Sequence, residues 1–404
     1  KQTSARPKFG SAATKSPTEN VAATSRGGRS SLNASSSRSR ARARYAERRR
    51  LTDSGSAPRP STHRRAGTVS HTPAIGIGRD VHPVRVAGFL SLVAAAAALL
   101  AEVAAAPTTA LPGTLLVGTV GTASAVAVVE ERERAASAAA SAPTALAAVD
   151  RGDVRDALAV VVGAVCAHVL SVHAGFGPVL GSALVGVAAA LAFPEADAPA
   201  YCGSFVGMAS AAAFPSLGYV ALAGAVSGIA YVASAGSFAG VGGKLGTLAL
   251  FGCLTTAAVV GVEGAAGGSP AWDLIPLVVP VAATAALLTA VANVRLGLGP
   301  VLGSGLVGVL AALGGSALDA LSLLGPEISG TLATAGFCAS FVGMTSPSRI
   351  AGPARMAVAG AVSGAALIAV APAVPGMGGT RGTVALVSCL GVGGARRALR
   401  AVGR

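Results

Sequence analysis

Charge is scarce in this sequence, and its scarcity excludes most soluble folds. Only 12% of the 404 residues are charged, whereas soluble globular domains carry about 25%. Apolar residues make up 52%, and the mean hydropathy is +0.65. This balance is typical of a protein that lies in a lipid bilayer.

The few charges are unevenly distributed along the chain. Residues 1–80 hold 17 Lys and Arg against 4 Asp and Glu, whereas the other 324 residues hold 14 against 13. The net charge of +14 therefore belongs to an N-terminal segment. For that reason it does not identify the whole chain as a nucleic-acid-binding protein.

Cysteines are also few, and their spacing predicts no metal site. The five lie inside apolar runs, where a disulfide framework has no evident role; they are Cys166, Cys202, Cys253, Cys338 and Cys389. No CxxC pair occurs, and the cluster of Cys166 with His168 and His173 contains no carboxylate. We expect the cysteines to pack as small apolar side chains, and the sequence predicts no cofactor.

Ionisable residues are almost absent from the apolar runs. Only Glu102 and His168 lie inside one. HExxH, paired Asp and Ser-His arrangements are missing. The sequence therefore predicts no catalytic residue and no enzyme, and it argues against a proton-driven pump.

Residues 1–80 are rich in Ser, Arg, Ala and Thr and have no hydrophobic period, so we predict a disordered basic tail. No signal-peptide pattern occurs near its start. The run RSRARARYAERRR at 38–50 suits anionic lipid headgroups. Nucleic acid is a less favoured partner, although its charge also suits this run. The plain alternatives are a solvated tail, or a segment outside the natural protein.

Apolar segments of membrane-spanning length begin at residue 84. The first two, 84–106 and 111–129, predict an N-terminal transmembrane helix pair within 84–130. A charged connector, EERERAASAAASAPTALAAVDRGDVRD, follows at 130–156. It separates this pair from the rest of the chain.

Duplication is the strongest pattern in the sequence. Four blocks recur in the same order: GFGPVLGSALVGVAAAL (175–191) with GLGPVLGSGLVGVLAAL (297–313), YCGSFVGMAS (201–210) with FCASFVGMTS (337–346), LAGAVSGIA (222–230) with VAGAVSGAA (358–366), and GVGGKLGTLALFGCL (240–254) with GMGGTRGTVALVSCL (376–390). The first pair is offset by 122 residues and the others by 136. We predict two copies of one unit, at 151–263 and 273–395, followed by a basic C-terminal tail at 396–404.

Each predicted copy has five apolar segments. They are 154–172, 177–193, 200–214, 217–235 and 245–262 in the first copy, and 274–294, 299–313, 331–346, 354–370 and 382–394 in the second. The third segment is short and bounded by proline, at Pro199 and Pro215 or before Pro347. It either spans the bilayer or re-enters it as a half-helix.

The number of crossings decides the symmetry. If the third segments span, each copy crosses an odd number of times, so the copies are inverted and the chain has about 12 spans. Basic residues favour cytoplasmic loops, and this topology places most of them inside: Arg132, Arg134, Arg151, Arg155, Lys244, Arg295, Arg349, Arg355, Arg396, Arg397, Arg400 and Arg404. Arg381 alone falls outside, whereas ten spans would also move Lys244 and Arg295 there. We therefore favour 12 spans in the cell membrane, with both termini cytoplasmic.

Paired helix breaks supply the candidate binding residues. Gly177-Pro178 and Gly299-Pro300 predict helix N-termini whose positive dipole ends face a solute. The alternative is that these small residues only let helices pack closely.

The repeated SFVGM motif is the second candidate. Its members are Ser204, Phe205, Gly207 and Met208 in the first copy and Ser340, Phe341, Gly343 and Met344 in the second. We expect the serines to offer hydroxyls, the aromatic rings to wall a pore and the glycines to free backbone carbonyls. Ordinary helix packing is the alternative.

The GVGGKLGT block at Lys244 lacks the glycine and the hydroxyl residue that a phosphate loop requires. Its second copy carries its basic residue at Arg381. We interpret both blocks as interfacial turns with a basic residue, and anion attraction is a minor alternative.

These patterns together predict an all-α polytopic membrane protein, which resembles inverted-repeat transporters in architecture only. The favoured function is a transporter or channel for a small neutral or anionic solute; the alternative is a non-transporting scaffold. A transporter should have a cavity lined by both SFVGM segments, whereas a scaffold should be filled there by side chains. The solute is not determined, and a homo-oligomer stays open.

Overall fold

The computed structural model describes residues 83–105, 111–141, 150–262 and 269–403. The predicted basic tail at 1–80, with its proposed lipid contact, lies outside these residues. All regular structure within them is helical, which confirms the all-α class for this part of the chain. Five of the helices are long and apolar enough to cross a membrane, and three shorter helices are also apolar.

Twelve α-helices are formed by the described residues. They are α1 Pro83–Ala105, α2 Leu111–Ser141, α3 Arg151–His168, α4 Gly177–Ala192, α5 Asp197–Val206, α6 Leu217–Ala233, α7 Lys244–Val260, α8 Ile275–Ala290, α9 Pro300–Ala320, α10 Pro326–Gly343, α11 Pro353–Val370 and α12 Thr380–Val402. Short π-helical turns, Val169–His173 and Val291–Arg295, follow α3 and α8.

Two helices run further than the apolar segments that predicted them. Helix α2 continues past residue 129 into the charged connector, because Arg134 there contacts Glu130 and Glu131 one turn earlier. Helix α12 continues through the predicted C-terminal tail as far as Val402. Alanine-rich sequence with paired charges is a good helix former in α2, whereas α12 continues through the glycines at 391, 393 and 394 that had suggested its end.

The two predicted third segments differ in length. Helix α5 has ten residues and spans about 15 Å, half of the roughly 30 Å apolar core of a bilayer. Helix α10 has 18 residues and spans about 27 Å. Helix α9 is likewise longer than α4, with 21 residues against 16, so the extra residues of the second predicted copy lie in α9 and α10.

Helix neighbours follow the same order in both halves. Helix α3 packs against α5 and α6, and α8 packs against α10 and α11. Between the halves, α4 contacts α9 and α7 contacts α12. Helix α2 packs against α12, where Ser124 Oγ donates to the Val387 carbonyl at 2.9 Å.

Large apolar side chains cover the outside of this bundle. Leu158 on α3, Ile229 on α6 and Leu310 on α9 are exposed by 59%, 69% and 65%. A soluble monomer rarely exposes so many large apolar side chains together. The surface is therefore compatible with membrane insertion.

Candidate functional site

Four aromatic rings meet where α5 and α10 approach each other. Tyr201 and Phe205 of α5 and Phe337 and Phe341 of α10 are all buried, and we call them the aromatic cluster. The Phe205 and Phe341 ring centroids lie 4.7 Å apart. The Tyr201–Phe205 and Phe337–Phe341 distances are 4.5 and 4.6 Å, and the crossed distances, Tyr201–Phe341 and Phe205–Phe337, are 6.2 and 6.3 Å. The last four contacts form two equivalent pairs at the offset of 136, and Phe205–Phe341 joins two residues that are themselves equivalent.

The serines of the two SFVGM motifs lie in helix contacts. Ser204 Oγ is 2.8 Å from Ser182 Oγ, and Ser340 Oγ is 2.8 Å from Ser304 Oγ. Each also donates to the carbonyl three residues earlier, at 2.8 and 2.7 Å. Both side chains are fully buried. Their hydroxyls therefore join α5 to α4 and α10 to α9 in the same way.

The glycines of the motif allow close helix approach. A Cβ on Gly207 would lie 2.7 Å from the backbone nitrogen of His168, and one on Gly343 would lie 2.5 Å from the Ala286 carbonyl oxygen. A side chain at either position would push α5 from α3, or α10 from α8. Both residues therefore serve packing in this structure.

A cavity of about 810 Å³, the large cavity, opens beside the end of α5. Gly177 and Pro178 at the start of α4 line it, together with Met208. Thr380 and Arg381 at the start of α12 also line it. The first predicted helix break and one SFVGM methionine therefore share a cavity with the second predicted copy.

A smaller cavity, of about 180 Å³, lies beside the aromatic cluster. Phe205 and Phe341 line this small cavity, as do Pro300, Met344 and Lys244. Both SFVGM motifs therefore contribute to it. The structure does not place Gly299, Ser204 or Ser340 on its wall.

The two cavities occupy equivalent places in the repeated sequence blocks. Six lining positions correspond at the offsets of 122 and 136: Pro178 with Pro300, Met208 with Met344, Gly376 with Gly240, Met377 with Val241, Thr380 with Lys244, and Arg381 with Leu245. Their volumes differ more than fourfold. The two cavities are thus equivalent in their sequence positions but unequal in volume.

Side-chain bonds next to the small cavity have no equivalent at the large one. Arg349 donates to the Ala239 carbonyl from Nε at 2.9 Å and from Nη2 at 2.7 Å, and its guanidinium also binds the buried Glu131 of α2. The Gly242 amide donates to Thr345 Oγ1 at 2.9 Å. At the large cavity, alanines occupy the positions equivalent to Arg349 and Thr345. Neither can make these side-chain bonds.

Two groups at the cavities were not predicted as site residues. The Glu131–Arg349 pair joins positions 218 residues apart, and no local pattern signals such a partner. The π-helical turn Val169–His173 puts Ser171 and Val172 on the wall of the large cavity. Turns of this kind are frequent at functional sites. Neither VLSVH at 169–173 nor VANVR at 291–295 contains a recognisable signal for a π-helical turn.

The blocks GVGGKLGT and GMGGTRGT, which we call the GG blocks, place their basic residues in different surroundings. Lys244 Nζ donates to the Ser234 carbonyl at 2.8 Å. Arg381 Nε is buried without a partner in the described part of the chain. Gly243 and Gly379, just before the two helices, adopt φ angles of 86° and 83°, which only glycine adopts readily.

No protein-family model, curated protein or solved structure matches this chain. Over residues 83–105, 111–141, 150–262 and 269–403, no group of three His, Cys, Asp or Glu side chains is placed to hold a metal ion.

Proposed function

We propose that the protein is a non-enzymatic, multi-pass transporter or channel that passes a small neutral or anionic solute between the large and small cavities. Its membrane part would consist of two inverted copies of a five-helix unit, preceded by the α1–α2 pair. The observation that carries this proposal is the pair of equivalent but unequal cavities.

Reciprocal contacts between the halves support the duplication. The Ser210 amide donates to the Gly376 carbonyl at 2.9 Å, and the Ser346 amide donates to the Gly240 carbonyl at 2.9 Å. These two bonds are equivalent. Ser346 lies 136 residues after Ser210, and Gly376 lies 136 residues after Gly240. An interface in which i contacts j and j contacts i is the signature of a twofold axis.

Antiparallel helix pairs support an inverted arrangement. Gly243, just before α7, approaches Ala385 of α12, whereas Gly379, just before α12, approaches Ala249 of α7, so the two helices run in opposite directions. In α4 and α9, which also contact each other, Gly308 meets Ala183 and Gly305 meets Val187. A twofold axis perpendicular to antiparallel membrane-crossing helices lies in the membrane plane, as in inverted-repeat transporters.

This arrangement favours the topology of about 12 spans, with both termini cytoplasmic. The ten residues of α5 would then need the irregular segment 207–214 to complete the crossing. Non-helical backbone at membrane depth is tolerated where it lines a cavity. Met208 and Ser210 do line the large cavity.

The unequal cavities support alternating access. If the copies are equivalent, the bundle can exchange which cavity is large, because each half can adopt the packing now found in the other. The Glu131–Arg349 pair and the Thr345–Gly242 bond would hold the small cavity closed. In the proposed topology that side is cytoplasmic, and the large cavity opens outward.

A scaffold is the second candidate, and one observation favours it. The aromatic cluster fills the contact between α5 and α10, and Ser204 and Ser340 are engaged in helix packing. Lipid would then be the main partner, with a homo-oligomer as a further possibility. The 810 Å³ cavity counts against a purely structural role, since packed interiors leave few voids larger than a water molecule.

Uptake into proteoliposomes tests the function. The purified full chain is reconstituted, and entry of glycerol and of nitrate is followed by vesicle swelling and by an internal ion-sensitive dye. Met208→Trp should fill the large cavity and abolish entry, and Met344→Trp should do so at the small cavity. Leu310→Trp, on the exposed face, is the matched control.

Ser204→Ala and Ser340→Ala should lower stability through lost helix contacts and change uptake less than the tryptophan variants. Entry that is equal in protein-free vesicles, or unaffected by both cavity-filling variants, would leave the scaffold as the better hypothesis.

A further inference from the structure

Arg381 presents a cation without a counter-ion to the large cavity. Its guanidinium carries five N–H donors, yet among the described residues it makes no ion pair with any carboxylate. Nε is buried and unpartnered, and Arg381 is one of the residues that line the cavity. The other half has Leu245 at the equivalent position, so the twofold repeat does not require a charge here.

The carboxylates that line the same cavity form no ion pair with Arg381. Asp319 and Glu327 line the cavity, but both side chains are exposed, so solvent and salt screen them. The neighbouring Thr380 hydroxyl donates to the Met377 carbonyl at 2.9 Å. A buried cationic group without a partner is costly, and such a group in a folded protein calls for an explanation such as a bound ion.

The backbone beside Arg381 adds positive potential. Arg381 is the second residue of α12, whose first amides lack intrahelical partners and form the positive end of the helix dipole. The Cys338 thiol donates a hydrogen bond to the Arg381 carbonyl, with a distance of 3.1 Å from Sγ to the oxygen. This bond helps to hold the main chain of the turn in place. The guanidinium and the helix start therefore act on the same cavity.

We infer that the large cavity binds a small oxyanion at Arg381. The inference deepens the proposed function, on which it rests, by choosing the anionic solute over the neutral one. A guanidinium presents two parallel N–H groups that match a carboxylate or a nitrate. Lys244, one position away in the equivalent block, would offer the anion a second site at the small cavity.

Charge-selective labelling tests the site without any need for transport. Thr334 also lines the large cavity, so Thr334→Cys is made in a Cys166→Ala background, because the other four cysteines are buried. The full chain is labelled in detergent with an anionic and with a cationic methanethiosulfonate reagent. The anionic reagent should react about tenfold faster than the cationic one, relative to their rates with a free thiol.

Arg381→Gln should remove this preference, and Arg381→Lys should keep most of it. Arg355→Gln is the matched control, because Arg355 is exposed at the start of α11 and should leave the preference unchanged. Nitrate and acetate should slow labelling of Thr334→Cys, whereas choline should not. This competition needs no Arg381 variant, so it holds even if Arg381→Gln fails to fold.

Equal rates for the two reagents, or labelling that nitrate does not slow, would overturn the inference. Glycerol uptake through the cavities together with such equal rates would leave the proposed function standing without an anion site. Anion-preferring labelling without uptake of any solute would keep the site and remove the transporter.

Discussion

Gly246 of α7 and Gly382 of α12 lie against each other, so that a Cβ on either would sit 2.6 or 2.5 Å from the Cα of the other. The two residues hold equivalent positions in the repeated GG blocks. Each therefore contacts its own counterpart, as the proposed duplication requires of residues on a twofold axis. In the proposed inverted arrangement, the axis through this contact would relate the two copies as they exchange conformations.

Gly246→Ala should destabilise the protein, and Gly382→Ala should do so to a similar extent. A methyl group at either position meets backbone rather than a flexible side chain, so the helices must separate at a cost of about 1–3 kcal/mol. Thermal unfolding in detergent measures the effect. Gly393→Ala, in an open part of α12, is the control and should be neutral or gain up to about 1 kcal/mol. Equal melting temperatures for all three variants would contradict this packing.

Phe341→Ala should make reconstituted vesicles leak. Phe341 contacts the other three rings of the aromatic cluster and lines the small cavity, so its removal opens space where we propose that the pathway is blocked. Phe214→Ala is a matched control, since Phe214 is also fully buried. Both variants should lose about 3–5 kcal/mol of stability. Leakage in the swelling assay should rise only for Phe341→Ala, and equal leakage would point to general unfolding instead.

Glu131→Gln should open the small cavity. The change removes the charge that holds Arg349 against α2, and breaking a buried ion pair leaves its partner uncompensated. A thiol at Met344→Cys, on the wall of the small cavity, should then react several-fold faster with a methanethiosulfonate reagent. Glu130→Gln is the control, because Glu130 pairs with Arg134 and Arg397. A labelling rate that Glu131→Gln leaves unchanged would show that this pair does not close the cavity.

Helix ends were predictable here because glycine and proline mark them. The segment predicted at 177–193 became α4, Gly177–Ala192, and the one predicted at 354–370 became α11, Pro353–Val370. The end of α2 was not predictable, since no breaker separates its apolar part from the paired charges that follow. Its boundary therefore depends on side-chain pairs rather than on hydropathy.

The direction in which each side chain points was less predictable. An apolar helix buried on most sides has little amphipathic asymmetry, so the sequence does not show which face of α5 meets a cavity. Ser204 turned out to face α4, whereas Met208 just after the helix lines the large cavity. Partners such as Glu131 and Arg349 are joined only by tertiary packing, which repeats and periodicity do not encode.

Acidity should stabilise the fold through Asp197, which lies at the loop end of α5, before the apolar segment that begins at residue 200. Burial raises the pKa of the Asp197 carboxyl from 3.8 to about 6, and the nearby charge of Glu195 adds to the increase. Because the folded state binds the proton more tightly than the unfolded state, this stabilisation is complete below about pH 4 and is lost as the pH rises through about 6. The apparent melting temperature in detergent should therefore fall by a few degrees between these values. Asp197→Asn should flatten that part of the profile, whereas Glu195→Gln, at an exposed position, should leave most of it. A profile in which Asp197→Asn follows the wild type would show that this carboxyl ionises as it does in water.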